Sequence, residues 1–171
     1  MDPVPPLPRY FYRVQTPDSF TYYDTESGFE SRGHYLMPLS HWINRGRFER
    51  HLDWNDRSSE PTPFISVFDN EKDAQKRVDF YISHGRPWVL LARIDTSSLH
   101  ADALEIEFAD RLVQLPVWRN DGGVIFVSME AVWRHFGVNP RVGQRSEWFA
   151  LDSIPAIMIE WTRLVHHLQV A

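Results

Sequence analysis

Apolar residues recur with two different periods along the chain, and the changes of period mark out the elements. Arg9-Tyr10-Phe11-Tyr12-Arg13-Val14 is aromatic and β-branched and predicts a strand. Phe64-Ile65-Ser66-Val67-Phe68 predicts another, closing on Asp69-Asn70, residue types that cap helices. Ala74, Val78 and Ile82 follow at intervals of four and share one helical face, and Gly85 and Pro87 end that helix. Trp88 to Ile94 is a continuous apolar run, which predicts a strand covered on both faces and central to its sheet. Leu104 to Leu115 fits either a strand or a helix. Asn120-Asp121-Gly122-Gly123 is a turn, and Ser128 caps a short helix that runs to Phe136. Two final strands are predicted at Glu147–Leu151 and Ile157–Trp161, joined across Ile154-Pro155.

The remaining stretches are polar or broken. Four prolines within residues 1–8 predict an extended lead-in segment. Residues 15–38 read as mostly loop, Leu39 to Leu52 as a short helix, and residues 53–63 and 139–146 as loops. Short strands with inserted helices give an α+β reading, and 171 residues suit a single domain with its core over residues 9–165.

Composition narrows the function classes. Apolar residues at 43% and charged residues at 24% support a packed core, and seven Trp add to its aromatic content. A formal charge of −5 argues against a protein that coats nucleic acid. Without cysteine there is neither a disulfide framework nor a thiol nucleophile. No run is apolar and long enough for a bilayer, and residues 1–8 lack the blocks of a signal peptide, so a cytoplasmic or nuclear location is expected, with secretion left open. No GxGxxG, Walker or GxSxG pattern occurs. His34, His41 and His51 lack metal-like spacing, and adjacent His166 and His167 face opposite ways on a strand, so no metal is expected.

Three segments carry more. Arg13 lies in an aromatic strand, where its guanidinium must reach water or a partner, because burying a bare charge is prohibitive. Ser66 is a lone hydroxyl among large apolar side chains, directly before an amphipathic helix. Glu147 opens a strand immediately after the polar loop. Each has an ordinary structural reading as well: a salt-bridged arginine, a hydrogen-bonded core serine and a strand-end carboxylate in water.

In this order the segments resemble the ADP-ribosyltransferase fold, in particular the arginine–serine–glutamate branch typified by the A chains of cholera-like and heat-labile enterotoxins. Tyr12-Arg13 matches the opening Tyr-Arg strand, Ser66 the first serine of Ser-Thr-Ser, and Ala74 a small residue in the next helix. Glu147 matches the second, catalytic glutamate of Glu-x-Glu, with Ile154-Pro155 following at the distance found in the toxins. The chain is also similar to fungal ADP-ribosyltransferase-like domains of unassigned role, which open with Tyr-Arg, carry Phe-Ile-Ser and end Glu-Trp…Ile-Pro.

The resemblance implies a split β-sandwich of short strands with inserted helices. It implies an enzyme that consumes NAD by cleaving the nicotinamide–ribose bond, either a mono-ADP-ribosyltransferase or an NAD glycohydrolase. NAD would be a substrate, the acceptor a protein, a nucleic acid or water, and neither metal nor membrane would be needed. Glu147 would stabilise the transition state and Ser66 would orient Glu147 or the ribose. Arg13, beside Tyr12, would hold a pyrophosphate or ribose oxygen, with Phe68 or Tyr81 stacked on nicotinamide. Two departures stand out: Ser66-Val67-Phe68 replaces Ser-Thr-Ser, and Arg145 replaces the first glutamate, which in the family engages the acceptor. The second of these departures argues against protein arginine as acceptor. Together they also leave a second expectation, a catalytically silent domain of this fold that acts as a protein-interaction module, and a third, a binding module on an unrelated α+β fold.

Overall fold

The computed structural model describes residues 6–19, 21–31, 62–108, 110–141 and 143–166. The strands are β1 (Tyr10–Gln15), β2 (Thr21–Asp24), β3 (Gly28–Ser31), β4 (Phe64–Phe68), β5 (Trp88–Asp95), β6 (His100–Phe108), β7 (Arg111–Arg119), β8 (Ile125–Ser128), β9 (Glu147–Leu151), β10 (Ser153–Pro155) and β11 (Ile159–His166). Two α-helices are described, α1 (Glu71–Ser83) and α2 (Met129–Phe136). Eight strands form one sheet in the order β11-β5-β1-β4-β9-β8-β7-β6, and β10-β3-β2 form a second of three. The protein is α+β, with antiparallel strand pairs in both sheets.

Register assigns the two faces of the large sheet. Tyr12, Phe68 and Glu147 stand in one line across β1, β4 and β9, and paired residues face the same way. On that side Tyr12 and Phe68 pack against Ala74, Val78 and Tyr81 of α1. Phe64 and Phe149 meet Val132 and Phe136 of α2 on the same side. On the other, Phe11, Ile65, Val67 and Trp148 pack with Phe29 and Ile154 of the small sheet. Helices thus cover one face and the small sheet the other, which accounts for the largely apolar runs in β4 and β5.

The caps form as their residue types require. Asn70 accepts from the Asp73 N–H at 2.8 Å, and Ser128 accepts from the Ala131 N–H at 3.1 Å. The strands expected at Arg9–Val14, Phe64–Phe68, Trp88–Ile94 and Glu147–Leu151 are present, and β5 is an interior strand between β11 and β1.

Several expectations need correction. Residues 15–38 are not mostly loop over their described part, because β2 and β3 form a hairpin there. Asp24 Oδ1 turns it by accepting from Glu26 N–H at 2.7 Å, and with four residues per strand there is too little alternation to read. The ambiguous stretch Leu104–Leu115 is a strand, a turn at Asp110 (φ 61) and a second strand. No glycine signals that turn. The expected strand at Ile157 starts later, since Ala156–Met158 is a 3-10 turn and β11 begins at Ile159. The helical face is displaced too: α1 buries Ala74, Arg77, Val78 and Tyr81, whereas Ile82 is only partly buried. The helix expected at Leu39–Leu52, the loop at 53–61, and His34, His41, His51 and His167 lie outside the described residues.

Gly28 is where the small sheet is closest-knit. Its φ is +89°, and a Cβ there would lie 2.2 Å from the Ile154 carbonyl oxygen on β10. Gly28→Ala is expected to cost about 3 kcal/mol in urea unfolding. Gly85→Ala, also at positive φ (+79°) but with nothing within 4 Å, is expected to cost only about 1 kcal/mol. Equal losses would show that the approach of β3 to β10 is not what fixes glycine at position 28.

Candidate active site

The three sequence-predicted residues Arg13, Ser66 and Glu147 lie on β1, β4 and β9, three consecutive strands of the large sheet. Between β1 and β4 the pairing consists of a single bridge, Tyr12 opposite Phe68. Beyond it the Ser66 carbonyl meets a side chain, the Arg13 guanidinium, whose Nη1 donates to it at 2.9 Å. Arg13 Nε and Nη2 donate to Gln15 Oε1 at 3.3 and 2.8 Å, and Gln15 Nε2 donates to the Thr21 carbonyl at the start of β2. This satisfies a guanidinium that is only 8% exposed and lies 5.9 Å from the Phe29 ring of the small sheet.

Glu147 is held from the other side of the sheet. The loop before it is pinned by the Asp69 N–H on the Ser146 carbonyl and by the Glu147 N–H on the Gln144 carbonyl, both at 2.9 Å. The side chain is 1% exposed, and Arg77 of α1, itself 6% exposed, places Nη2 3.7 Å from Oε1. That separation is an ion pair without a hydrogen bond, and neither carboxylate oxygen has a hydrogen bond of good geometry. Burial pushes the Glu147 carboxyl above the usual glutamate range, while Arg77 and the Gln144 backbone N–H pull it down less strongly.

Ser66 is partly buried and stands opposite Phe149, two residues along β9 from Glu147, so pleating puts Ser66 and Glu147 on the same sheet face. By the same pleat Arg13 belongs to the face turned toward the small sheet, and it joins the other two through the Ser66 main chain. Tyr12 and Phe68 are buried beneath α1, and Tyr81 is one of the α1 side chains that covers them. The Arg77 guanidinium sits 5.1 Å from the Phe68 ring and 5.9 Å from that of Tyr81, a cation on the rings expected to stack on nicotinamide. Arg145 is exposed in the loop before β9.

Two neighbours of these residues escaped the sequence reading. Arg77 occupies a position on the buried stripe 74, 77, 78, 81, and an arginine within an apolar stripe is itself a signal that a carboxylate faces it. Gln15 lies two residues from Arg13, on the same side of the strand, where a neutral amide can take up a guanidinium. Chemically, a poorly solvated carboxylate with few hydrogen bonds acts strongly on any positive charge that develops beside it. Among the described residues no group of three His, Asp or Glu side chains could hold a metal ion, and no helix is long and apolar enough to cross a membrane.

The family model described as "Domain of unknown function (DUF7587)" matches residues 6–164, and the chain belongs to that family. No curated protein matches the chain, and no solved structure does.

The raised Glu147 carboxyl has a signed consequence for stability. A native carboxyl that holds its proton more tightly than in the unfolded chain stabilises the fold at low pH. That contribution fades as pH rises from the ordinary glutamate value through the raised native one. In urea unfolding from pH 4 to 7, Glu147→Gln is therefore expected to gain stability relative to wild type as pH rises. If the variant instead falls further behind with rising pH, attraction to Arg77 outweighs burial.

Proposed function

We propose that this DUF7587 domain binds NAD at the β1–β4–β9 junction and cleaves its nicotinamide–ribose bond. The observation that carries the reading is the adjacency of those strands, with the Arg13 guanidinium 2.9 Å from the Ser66 carbonyl and Glu147 on the next strand. In the reaction the C1′–N bond breaks and its electron pair leaves with nicotinamide, which departs neutral. The ribose gains oxocarbenium character, and water or another nucleophile adds at C1′ and loses a proton. A leaving group already bearing positive charge needs no strong general acid, and electrostatic stabilisation of the ribosyl cation is the main demand. Glu147 is the carboxylate suited to it, and Ser66, on the same face, positions it or a ribose hydroxyl. Arg13 faces the small sheet, so its fork of donors would meet a pyrophosphate oxygen that reaches through the β1–β4 gap from the Ser66–Glu147 face, by giving up part of its bonding to Gln15.

A second reading rests on a different observation. Glu147 is 1% exposed with Arg77 beside it, and Arg13 already donates to Gln15 and Ser66. Both charges then serve as internal ties, and the domain is a catalytically silent relative that binds other proteins. For an NAD-consuming enzyme, purified protein releases nicotinamide from NAD, measured by chromatography, and Glu147→Gln lowers the rate about a hundred- to a thousandfold. Arg13→Lys, which keeps the charge and loses the fork, is expected to weaken NAD binding more than it slows the bound reaction. Absence of nicotinamide release from folded wild-type protein would overturn the catalytic reading in favour of the silent one.

A further inference from the structure

Strand β7 loses one neighbour part-way along its length. On one side it pairs with β6 from Arg111 to Arg119, but β8 meets it only at Trp118 and Arg119. Main-chain groups on a strand point alternately to its two sides. The tight turn between paired Phe108 and Arg111 directs the Arg111 groups toward β6. Asn120 N–H points the other way, to the Val124 carbonyl at 3.1 Å. Leu112, Gln114 and Pro116 share the Asn120 parity, so their main-chain groups aim at the side that β8 has left. Pro116 has no N–H to offer there, which suits a strand edge. Among the described residues no strand pairs with this edge.

The surroundings indicate what fits. A cavity of about 420 Å³ is lined by Arg111, Leu112, Val113, Gln114, Arg134 and His135. It therefore sits between the edge of β7 and the last turn of α2, which carries Arg134 and His135. Leu112 is 66% exposed, so its apolar side chain is accessible beside this edge. Arg134 also lies 3.7 Å from Glu130, with both side chains well exposed to solvent. Across the hairpin, Glu107 and Glu105 stand opposite Leu112 and Gln114, and Gln114 donates to Glu105 at 2.9 Å. Arg111, Val113, Leu115 and Val117 alternate with those residues, and Leu115 and Val117 pack against α2. The cations thus lie on the helix side of the ribbon and the glutamates on the side away from it.

We propose that this edge of β7, with which no described strand pairs, docks an extended acidic segment of a partner protein, which adds to the sheet as a strand. Main-chain hydrogen bonds to Leu112 and Gln114 hold the segment, Leu112 contributes apolar contact, and Arg111 and Arg134 receive its carboxylates. The inference is independent of any reaction with NAD, because its residues lie on β7 and α2, away from Arg13, Ser66 and Glu147.

The test measures fluorescence anisotropy of two labelled peptides with the full chain, one alternating glutamate with valine and the other lysine with valine. The acidic peptide is expected to bind and the basic one to fail. Combined Arg111→Glu and Arg134→Glu substitutions, both at exposed side chains, are expected to weaken the acidic peptide more than about tenfold while leaving the circular dichroism spectrum that of a folded protein and lowering Tm only slightly through the lost Arg134–Glu130 pair. Leu112→Pro removes the donated N–H without touching charge and is expected to weaken binding by a similar factor. No binding of the acidic peptide, equal binding of both peptides, or an unchanged Kd in the charge-reversed variant would overturn the proposal. So would a concentration-dependent dimer abolished by Leu112→Pro, which would assign the edge to a second copy of the chain.

Discussion

A carbonyl on a strand whose neighbour has turned aside must find another donor or remain unpaired in the interior, at a cost comparable to a lost hydrogen bond. At Ser66 that donor is the Arg13 guanidinium, and much of the arrangement around it follows. A guanidinium placed there needs acceptors for its other N–H groups, which Gln15 supplies. Gln15 then reaches the Thr21 carbonyl and so ties β1 to the small sheet. One side chain thus closes a gap in the large sheet and registers the second sheet against it.

A second constraint crosses the sheet. Glu147 and Arg77 are both almost wholly buried, and taking either charge out of water costs several kcal/mol unless the other compensates. Their 3.7 Å separation gives attraction without the full return of a hydrogen bond. Helix α1 and strand β9 are thereby coupled at the point where the loop preceding β9 ends. A charge pair in that position serves the structure, and under the proposed reaction the field that holds the helix in place is also the field the reacting ribose would feel.

Legibility in the sequence varied with how local the cause was. The run from β4 through Asn70 and α1 to β5 was readable because capping, helical spacing and apolar continuity all act within a few residues. The β2–β3 hairpin was not, since its order comes from Phe29 packing on the large sheet and from pairing with β10 rather than from its own pattern. The β6–β7 hairpin turns through Asp110 without glycine, and Ala-Asp offers no distinctive turn signal. At the site, Arg13, Ser66 and Glu147 were found as isolated residues. Their neighbours Arg77 and Gln15 were missed, one because the helical face was phased on Ile82 instead of Tyr81. Tyr12, Phe68 and Tyr81 were expected near a ligand; Tyr12 and Phe68 pack against α1 and Tyr81 belongs to it, and an aromatic in a motif looks the same whether its ring meets ligand or core.

The order of strands also bears on how the chain reaches its native state. β1 is translated first among the strands, yet it sits inside the large sheet between β5 and β4, whose residues emerge at 88–95 and 64–68. Its native partners are absent until those segments have left the ribosome, and β11, which flanks β5, is the last of the described strands to emerge. Pairings so distant along the chain place the domain among slower folders, in the millisecond-to-second range rather than microseconds. During that interval the aromatic face of β1 is exposed to solvent and to other nascent chains, and early shelter by a chaperone would shorten its risk of aggregation.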